Sequence, residues 1–391
     1  MSIVDRTPVP AGPQVLLVST YFPPHLGGVE VVAQNQARSL ARAGYRVTVA
    51  TTRDHPERPR RETVDGYEVI RLPARNLLER RTGIPYPIVG PAFCGALYGL
   101  VRRSDVVHVH DVLYQPPQLA ALFSHLAAKP LIVSQNTGSV HHDARLVRAV
   151  EGVSVATAGR YIWSRARRVT AHNQLVYDHL TARGVPARRI VRVGNGIDTA
   201  AFSPAPAAGP ARLRSRLGIP ADRPVVLFVG RLVDQKGYPA LLRAAGPEYH
   251  IVLAGPGTPP PDVPAGASCV GPVPRDDLVD LYRMADLLVS PSLGEVFPLV
   301  VQEAMACGLP VIATDDPRYA AFGVDRRLLR LVPPEPHALR AAILAVLADP
   351  ETGRRMAQYG RRFAVEHFEW QRNQQRLLDL YREITEAGVT H

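Results

Sequence analysis

Short apolar runs alternate with helical patterns along the first half of the sequence. Residues 15–19 form a nearly continuous apolar run, and the periodicity of residues 30–43 predicts a helix that ends at Gly44. Similar runs recur after each helical pattern. Such alternation is typical of a parallel β-sheet with helices on both faces. The predicted strands of this half are residues 15–19, 46–51, 67–71, 106–110, 131–134, 169–171 and 190–193.

A turn and a linker interrupt this pattern near the middle of the chain. The sequence NGID at residues 195–198 is a turn signal, and residues 204–210 are rich in Pro, Ala and Gly. The alternation of strands and helices then starts again. We therefore predict two α/β domains, at residues 1–195 and 196–367, and a C-terminal segment at residues 368–391.

The second half repeats the α/β pattern and ends in long helices. The last helix, from about residue 369 to residue 387, carries an apolar stripe formed by Leu377, Leu380, Tyr381 and Ile384. In parallel sheets, functional groups cluster at the carboxyl ends of the strands. The predicted strands here are residues 225–229, 251–254, 269–270, 287–290, 311–313 and 328–332.

Composition indicates a soluble globular protein. The chain has 391 residues, of which 46% are hydrophobic and 21% charged, which is ordinary for soluble α/β domains. Its three cysteines have no metal-like spacing, which favours a reducing, cytoplasmic compartment. The N-terminal residues lack the apolar core of a signal peptide. Residues 84–101 are weakly apolar but contain several prolines and glycines, so we interpret them as a loop and a helix.

The net charge of +11 limits the choice of partner. Nearly all of the positive charge is arginine, since Lys129 and Lys236 are the only lysines. A basic surface can bind nucleic acid, an anionic membrane or an anionic substrate. The arginines are scattered, and no aromatic-plus-basic nucleic-acid motif occurs. We therefore predict no nucleic-acid partner.

The stretch GEVFPLVVQEAMACGLPVIATD, at residues 294–315, carries two glutamates eight residues apart, Glu295 and Glu303. Pro298 is placed as the first residue of a helix, where its missing N–H costs nothing. The free N–H groups of such a helix suit a phosphate, whereas carboxylates accept hydrogen bonds from sugar hydroxyls. This combination is typical of a nucleotide-sugar site. The alternative is a capping glutamate followed by a solvated helical one.

A second candidate cluster follows the predicted strand at residues 225–229. The sequence VLFVGRLVDQKG places Arg231 at the end of this strand and Lys236 before the next helix. An arginine fork and a lysine point charge at one strand end suit a diphosphate. Lys236 stands out because this chain otherwise uses arginine almost everywhere. The alternative is a pair of exposed basic residues on a loop.

Taken together, these motifs resemble those of retaining GT-B glycosyltransferases of family 4. The matching blocks are YFPPHLGGVE near the start, GRLVDQKG, and GEVFPLVVQEAMACGLPV with its paired glutamates. NGID and ADLLVSPS are supporting matches. The resemblance spans both halves in the expected order. It implies two Rossmann-like domains whose parallel sheets face a central cleft, with the C-terminal helix packed back on the N-terminal domain.

The resemblance also implies a role for each half. The N-terminal domain would bind the acceptor and the C-terminal domain the nucleotide sugar. Arg231 and Lys236 would hold the donor diphosphate, and Glu303 would bind the ribose hydroxyls. The transferred hexose would lie against Glu295 and the backbone beside Phe297, Pro298 and Leu299. Gly27 and Gly28 would let the backbone approach the diphosphate or the acceptor, because glycine has no Cβ.

One position departs from the family pattern. Relatives often carry a histidine after the strand at residues 131–134, where this chain has Asn136. An asparagine cannot transfer a proton near pH 7, but it can hydrogen-bond a sugar hydroxyl. We therefore place Glu295 and Asn136 in the catalytic set. On the acceptor side, His110 ends the predicted strand at residues 106–110, and His141 lies five residues after Asn136 in the sequence. A structural role is the alternative for both histidines.

The resemblance implies transfer of a hexose from a UDP- or GDP-hexose to an acceptor hydroxyl, with the anomeric configuration retained. No Asp-x-Asp motif occurs. Two basic groups and a helix N-terminus can neutralise a leaving diphosphate, so we predict no metal and no cofactor. The acceptor class stays open between a glycan, a lipid-linked and a small-molecule acceptor. The alternative function is a catalytically impaired protein that binds nucleotide sugars, for which Asn136 is the hint.

Membrane contact is a further expectation. Residues 75–81 are arginine-rich and precede the weakly apolar segment, and basic-plus-apolar surfaces dock on anionic lipid. Ordinary surface helices are the alternative explanation. We thus expect a cytoplasmic enzyme that can lie at the inner face of the membrane.

Overall fold

The structure is a computed structural model that describes residues 12–25, 28–53, 55–75, 86–136, 155–194, 196–204, 210–293, 295 and 297–386. The chain divides into two compact units. The N-terminal unit is Met1–Gly194 with Arg372–His391, and the C-terminal unit is Asn195–Gln371. The first unit therefore takes up the end of the chain, and the division after Gln371 lies a few residues beyond the limit expected from the sequence.

The N-terminal unit is an α/β layer structure built on one large sheet. The strand order is β3-β4-β2-β1-β6-β7-β8-β9, with β5 paired to β4. Its strands are β1 Gln14–Val18, β2 Arg46–Arg53, β3 Arg61–Val64, β4 Tyr67–Arg75, β5 Ile88–Val89, β6 Val106–His110, β7 Leu131–Gln135, β8 Arg168–Ala171 and β9 Ile190–Arg192. Its helices before the division are α1 Gly28–Arg42, α2 Pro91–Arg103, α3 Gln115–Leu126, α4 Arg160–Arg165 and α5 Gln174–Ala182.

Most pairings in this sheet are parallel, as the sequence predicts. The central strands β6 and β7 are buried along their whole length, which is why they read as continuous apolar runs. Two antiparallel edge strands, β3 and β5, were not predicted. Strand β3, with the sequence RETV, lies largely exposed at the edge, so it carries no run of buried apolar residues.

The C-terminal unit contains a second parallel sheet. Its order is β12-β11-β10-β13-β14-β15, and each pairing is parallel. Its strands are β10 Val225–Val229, β11 His250–Ala254, β12 Ala267–Gly271, β13 Leu287–Ser290, β14 Val311–Thr314 and β15 Arg330–Val332. Its helices are α6 Pro210–Arg216, α7 Tyr238–Arg243, α8 Arg275–Met284, α9 Leu299–Ala306, α10 Pro336–Ala348 and α11 Pro350–Phe368.

The last helix, α12 Trp370–Glu386, packs within the N-terminal unit from Arg372 onward. Its predicted apolar stripe is confirmed, because each of its four residues is buried. They join a core cluster with residues of β1, β2 and α1. Within the described residues, none of the helices combines the length and apolar character needed to cross a membrane.

A series of hydrogen bonds between buried polar side chains connects α12 to the first sheet. The Tyr381 hydroxyl lies 2.6 Å from Nδ1 of His108, on β6. Nε2 of the same histidine lies 2.8 Å from the Ser134 hydroxyl, which in turn pairs with Thr170 at 2.7 Å. Both rings of the first pair are almost completely buried. Each group in the series therefore depends on its neighbour for a hydrogen-bond partner.

We predict that Tyr381→Phe destabilises the N-terminal unit. The substitution keeps the ring but removes the hydroxyl, so His108 loses a partner in a place that water does not reach. Leaving a buried polar group unpaired costs about 1–3 kcal/mol. Thermal unfolding followed by circular dichroism should show a lower midpoint for the unit that contains this helix.

Tyr98→Phe is the matched control, since it removes a hydroxyl from a side chain that is 38% exposed. The control should leave the midpoint unchanged. Equal midpoints for Tyr381→Phe and the control would show that this series of buried hydrogen bonds does not contribute to stability.

Candidate functional site

Two loops meet at the carboxyl edge of the second sheet. One follows β10 and contains Arg231 and Lys236; the other follows β13 and contains Glu295. The Lys236 ammonium donates to both carboxylate oxygens of Glu295, at 2.6 and 2.5 Å. The pair is half-buried, with side-chain exposures of 19% and 39%. The structure thus joins one basic and one acidic residue that the sequence assigned to the same site.

A glycine makes this meeting possible. Gly237 has φ +74°, and a Cβ placed there would lie 2.1 Å from the carbonyl oxygen of Pro291. Any side chain at this position would push the two loops apart, and the left-handed backbone also favours glycine. The Leu293 N–H donates to the Gln235 carbonyl at 2.9 Å, which adds a second bridge. Backbone contact therefore brings the Lys236 and Glu295 side chains together.

Arg231 lies at the same edge but is exposed. Its guanidinium has no recorded ion pair or hydrogen bond within the described part of the chain. Arginine is always charged and presents a planar fork of donors that matches a phosphate. Arg231 is therefore available to an anionic ligand in this structure.

Glu303 is placed differently from Glu295. It lies inside α9, is 2% exposed, and its Oε2 accepts a hydrogen bond of 2.8 Å from the Tyr282 hydroxyl. The sequence predicted a hydroxyl-binding carboxylate and did not reveal this tyrosine. Tyr282 lies on α8 among core residues, so no local pattern marked it as a partner.

Helix α9 begins one residue later than predicted, at Leu299, with Pro298 as its N-cap. Proline fits this position because it has no N–H to leave unpaired. The first N–H groups of a helix have no acceptor within the helix, and they carry a partial positive charge. The start of α9 therefore lies a few residues from Glu295 with donors suited to an anion.

Phe297 anchors the loop between Glu295 and α9. Its backbone φ is +57°, which is unusual for a residue other than glycine. Its N–H donates to the Tyr319 hydroxyl over a long 3.4 Å. The ring is 4% exposed and packs against four aromatic rings with centroid distances of 4.8–5.8 Å: those of Tyr319, Phe322, Phe363 and Phe368.

This aromatic cluster was not apparent from the sequence, because its members come from three separate elements. Tyr319 follows the segment TDDPR, at residues 314–318. The packing directs the Phe297 side chain into the core, so only its backbone faces the loop.

In the N-terminal unit, the carboxyl ends of β6 and β7 bring together a polar group of four residues. Asp111, with φ +59°, accepts hydrogen bonds at its Oδ1 from the Asn136 N–H at 2.9 Å and from Gln135 Nε2 at 3.1 Å. The Asn136 amide nitrogen lies 3.4 Å from His110 Nδ1 and 3.4 Å from the Ser134 carbonyl oxygen. Asn136 is therefore held by neighbours on both sides.

Burial controls the charge of His110. The side chain is 1% exposed, and this burial lowers its pKa to about 4. Burial lowers the pKa of His172 to about 4 in the same way. His110 is accordingly neutral at pH 7, and it can donate or accept a hydrogen bond without carrying charge.

Two predicted site residues, Gly27 and His141, lie outside the described residues. Gly28 is the first residue of α1, and a Cβ placed there would meet no atom of the described residues within 4 Å. Protein packing therefore does not explain this glycine. Its proposed role beside a ligand stays a prediction.

Comparison with known proteins places this chain in a family. The profile described as "Glycosyl transferases group 1" matches residues 211–363, and "Glycosyl transferase 4-like domain" matches residues 27–196. The chain is 32% identical to the D-inositol 3-phosphate glycosyltransferase of Kineococcus radiotolerans, over 92% of this chain and 91% of that one. It is 31% identical to the GDP-mannose-dependent alpha-mannosyltransferase of Mycolicibacterium smegmatis, over 86% and 89%.

The fold has close structural relatives. Sucrose-phosphate synthase from Thermosynechococcus elongatus superposes with a TM-score of 0.74 at 23% identity, over 96% of this chain and all of that one. Anabaena Alr3699/HepE in complex with UDP-glucose gives a TM-score of 0.73 at 17% identity, over 95% and 100%. Both units are thus Rossmann-like, and the expected GT-B fold is confirmed.

The chain belongs to the group 1 glycosyltransferases, that is, to glycosyltransferase family 4. It is accordingly a transferase enzyme of GT-B fold. The mannosyltransferase relative is named for GDP-mannose, and the Alr3699/HepE structure contains UDP-glucose. Which donor and acceptor this chain uses is a separate matter.

Proposed function

We propose that this enzyme transfers a hexose from a UDP- or GDP-hexose to an acceptor hydroxyl, with retention of the anomeric configuration and without a metal. The observation that carries the proposal is the Lys236–Glu295 pair at the carboxyl edge of the second sheet, a few residues before α9. This edge combines basic groups, helix N–H donors and a partly exposed carboxylate. A sugar diphosphate needs these three features together.

Donor binding would rearrange the ion pair. Without a ligand, the Lys236 ammonium donates hydrogen bonds to the Glu295 carboxylate. A diphosphate is a stronger competitor for the ammonium, since it offers several charged oxygens. The freed carboxylate can then accept hydrogen bonds from hexose hydroxyls, while Arg231 and the start of α9 add to the phosphate contacts.

The proposed chemistry follows from these contacts. The acceptor oxygen forms a bond to the anomeric carbon while the bond from that carbon to the leaving phosphate oxygen breaks. The acceptor proton passes to the departing phosphate on the same face of the sugar, which preserves the configuration. Lys236 and Arg231 stabilise the charge that develops on the diphosphate. No protein base is needed, which agrees with a neutral His110 and with an asparagine at position 136.

Glu303 is proposed to bind the ribose hydroxyls together with its neighbour Tyr282. A carboxylate accepts hydrogen bonds from hydroxyl groups such as those of ribose. Glu303→Gln keeps the shape and removes the charge, so it tests this contact directly.

A second candidate function is a protein that binds nucleotide sugars without turning them over. Asn136, in place of the family histidine, is the observation that favours it. Both functions require the donor site in the C-terminal unit. Measurable release of nucleoside diphosphate from a donor separates an enzyme from an impaired binder.

We predict that Lys236→Ala weakens the binding of UDP or GDP. A hydrogen bond to a charged group contributes about 1.5–3 kcal/mol, so affinity should fall about 10- to 100-fold. Glu303→Gln should weaken binding as well, through the ribose. Isothermal titration calorimetry with each nucleotide measures both effects.

Arg243→Ala is the matched control for Lys236→Ala, because it removes one exposed positive charge from α7 of the same unit. Its affinity should equal that of the wild type. If Lys236→Ala and Glu303→Gln both bind the nucleotide as tightly as this control does, the assignment of the donor site is wrong.

We predict that transfer does not depend on a divalent metal. The basic groups and helix N–H donors at this edge are proposed to neutralise the leaving diphosphate by themselves. Donor turnover should be unchanged after treatment with EDTA. Abolition by EDTA and recovery on addition of magnesium would refute the prediction.

We also propose that α2, α3 and α4 contact an anionic membrane. Large apolar side chains are exposed on all three helices, which are joined by ring contacts between Tyr98 and Phe123 and between His125 and Tyr161. Arginines lie on α2 and α4, and none of the three helices contains an acidic residue. The exposed apolar residues are Tyr98 (38%), Leu122 (39%), Leu126 (65%) and Tyr161 (37%). Most of the arginine-rich stretch on which the original expectation rested, residues 76–81, lies outside the described residues.

We predict that the protein floats with liposomes containing anionic lipid at low salt and is released at high salt. Leu122→Glu combined with Leu126→Glu should prevent flotation, because carboxylates on this face oppose both insertion and charge attraction. Val365→Glu changes an exposed apolar residue of α11 and serves as the control. An absence of binding at low salt would end the proposal.

A further inference from the structure

The N-terminal unit contains a pocket of about 120 Å³ near the carboxyl ends of β1 and β6. Its wall includes Thr20 after β1, Glu30 in the first turn of α1, His110 at the end of β6 and Asp111 directly after it. Tyr114 forms part of the same wall. The described residues of this wall all belong to the N-terminal unit.

Two residues of this wall each carry a buried polar atom without a hydrogen-bond partner among the described residues. His110 Nε2 and Thr20 Oγ1 make no hydrogen bond within the described part of the structure, and their residues are 1% and 5% exposed. Buried polar groups are nearly always paired in folded proteins. Two unpaired atoms on the wall of one pocket therefore point to a ligand that offers hydrogen-bonding groups.

Asn136 determines which hydrogen-bonding role His110 can take. The asparagine amide nitrogen faces the Ser134 carbonyl oxygen, so it is the nitrogen, and not the amide oxygen, that also faces His110 Nδ1. An amide nitrogen donates, hence Nδ1 accepts and the single proton of the neutral ring lies on Nε2. His110 therefore presents an uncharged N–H donor that lacks an acceptor.

The charge of the wall limits the ligand further. Glu30 and Asp111 contribute carboxylates, whereas no lysine or arginine is present among the described lining residues. A phosphate placed here would be repelled and would find no cation. Hydroxyl groups suit the wall, since each can accept from His110 Nε2–H and donate to a carboxylate.

We propose that this pocket binds an uncharged polyol group of the acceptor, with His110 as the donor to one hydroxyl and Asn136 as the positioning residue that fixes its tautomer. The inference rests on the proposed function, because it names the acceptor class of that reaction. It also separates this chain from its relatives named for D-inositol 3-phosphate, whose acceptor carries a phosphate.

Ligand-observed NMR titration with myo-inositol and with D-inositol 3-phosphate tests the charge argument. These probes share a ring of hydroxyls and differ in the phosphate. We expect myo-inositol to bind at least about tenfold more tightly, a difference of about 1.4 kcal/mol. Tighter binding of the phosphorylated probe, or no binding of either one, would overturn the proposal.

His110→Phe and Thr20→Val test the wall itself. Each keeps the approximate shape and removes one unpaired polar atom, so each should weaken myo-inositol binding about tenfold. His125→Phe changes an exposed histidine of α3 and should bind like the wild type. Undiminished myo-inositol binding by both pocket variants would contradict the assignment, and the second variant keeps the test valid if the first does not fold.

The role of Asn136 is tested by its effect on the histidine. In protein labelled with ¹⁵N-histidine, the His110 signals at pH 7 should show a neutral ring with the proton on Nε2. Asn136→Asp replaces the donor by an acceptor, so the proton should move to Nδ1 and myo-inositol affinity should fall. An unchanged proton position would show that Asn136 is only structural.

The wild-type protein and each variant are also titrated with UDP and with GDP, so that donor binding is measured separately from polyol binding. If these nucleotides bind the wild-type protein while myo-inositol does not, only the acceptor inference is wrong. If they do not bind wild-type protein, the proposed function itself is wrong, whatever the polyol result.

Discussion

The backbone contact between Gly237 and Pro291 is the constraint on which the candidate donor site depends. It joins the loops after β10 and β13, and those loops carry Lys236 and Glu295. Neither side chain would define a site alone, because an exposed lysine and an exposed glutamate are ordinary surface residues. Held at 2.6 Å, they form an ion pair, and we propose that a diphosphate replaces the carboxylate as the partner of the ammonium when the donor binds.

The two units differ in the charge and burial of the polar groups at their sheet edges. In the C-terminal unit, charge is concentrated at a sheet edge, and an aromatic cluster around Phe297 fixes the loop that presents it. In the N-terminal unit, the sheet edge carries carboxylates, no lysine or arginine among the described lining residues, and a buried histidine that its lowered pKa keeps neutral. The first arrangement suits a charged ligand and the second an uncharged one. Substitution of a histidine by Asn136 fits the second arrangement, since an amide can orient a neighbour without titrating.

Much of this structure was predictable from the sequence. The buried parallel strands read as apolar runs, and the motifs around Arg231, Lys236 and Glu295 identified the edge where they lie. Contacts between distant segments were not predictable: the hydrogen bond from Tyr282 to Glu303, the rings around Phe297 and the backbone approach at Gly237 each join residues far apart in sequence. Strand β3 escaped prediction because an exposed edge strand has no apolar signature. Side-chain pairing, unlike periodicity, is a property of the folded chain.

A donor screen tests the central claim most directly. UDP- and GDP-linked hexoses are offered in turn to wild-type protein and to Lys236→Ala, and the released nucleoside diphosphate is measured. The account predicts release from at least one donor by the wild type and a strong loss of that release in the variant. Equal release by both proteins would contradict the role assigned to the Lys236–Glu295 pair, and no release from any donor would contradict the proposed transfer.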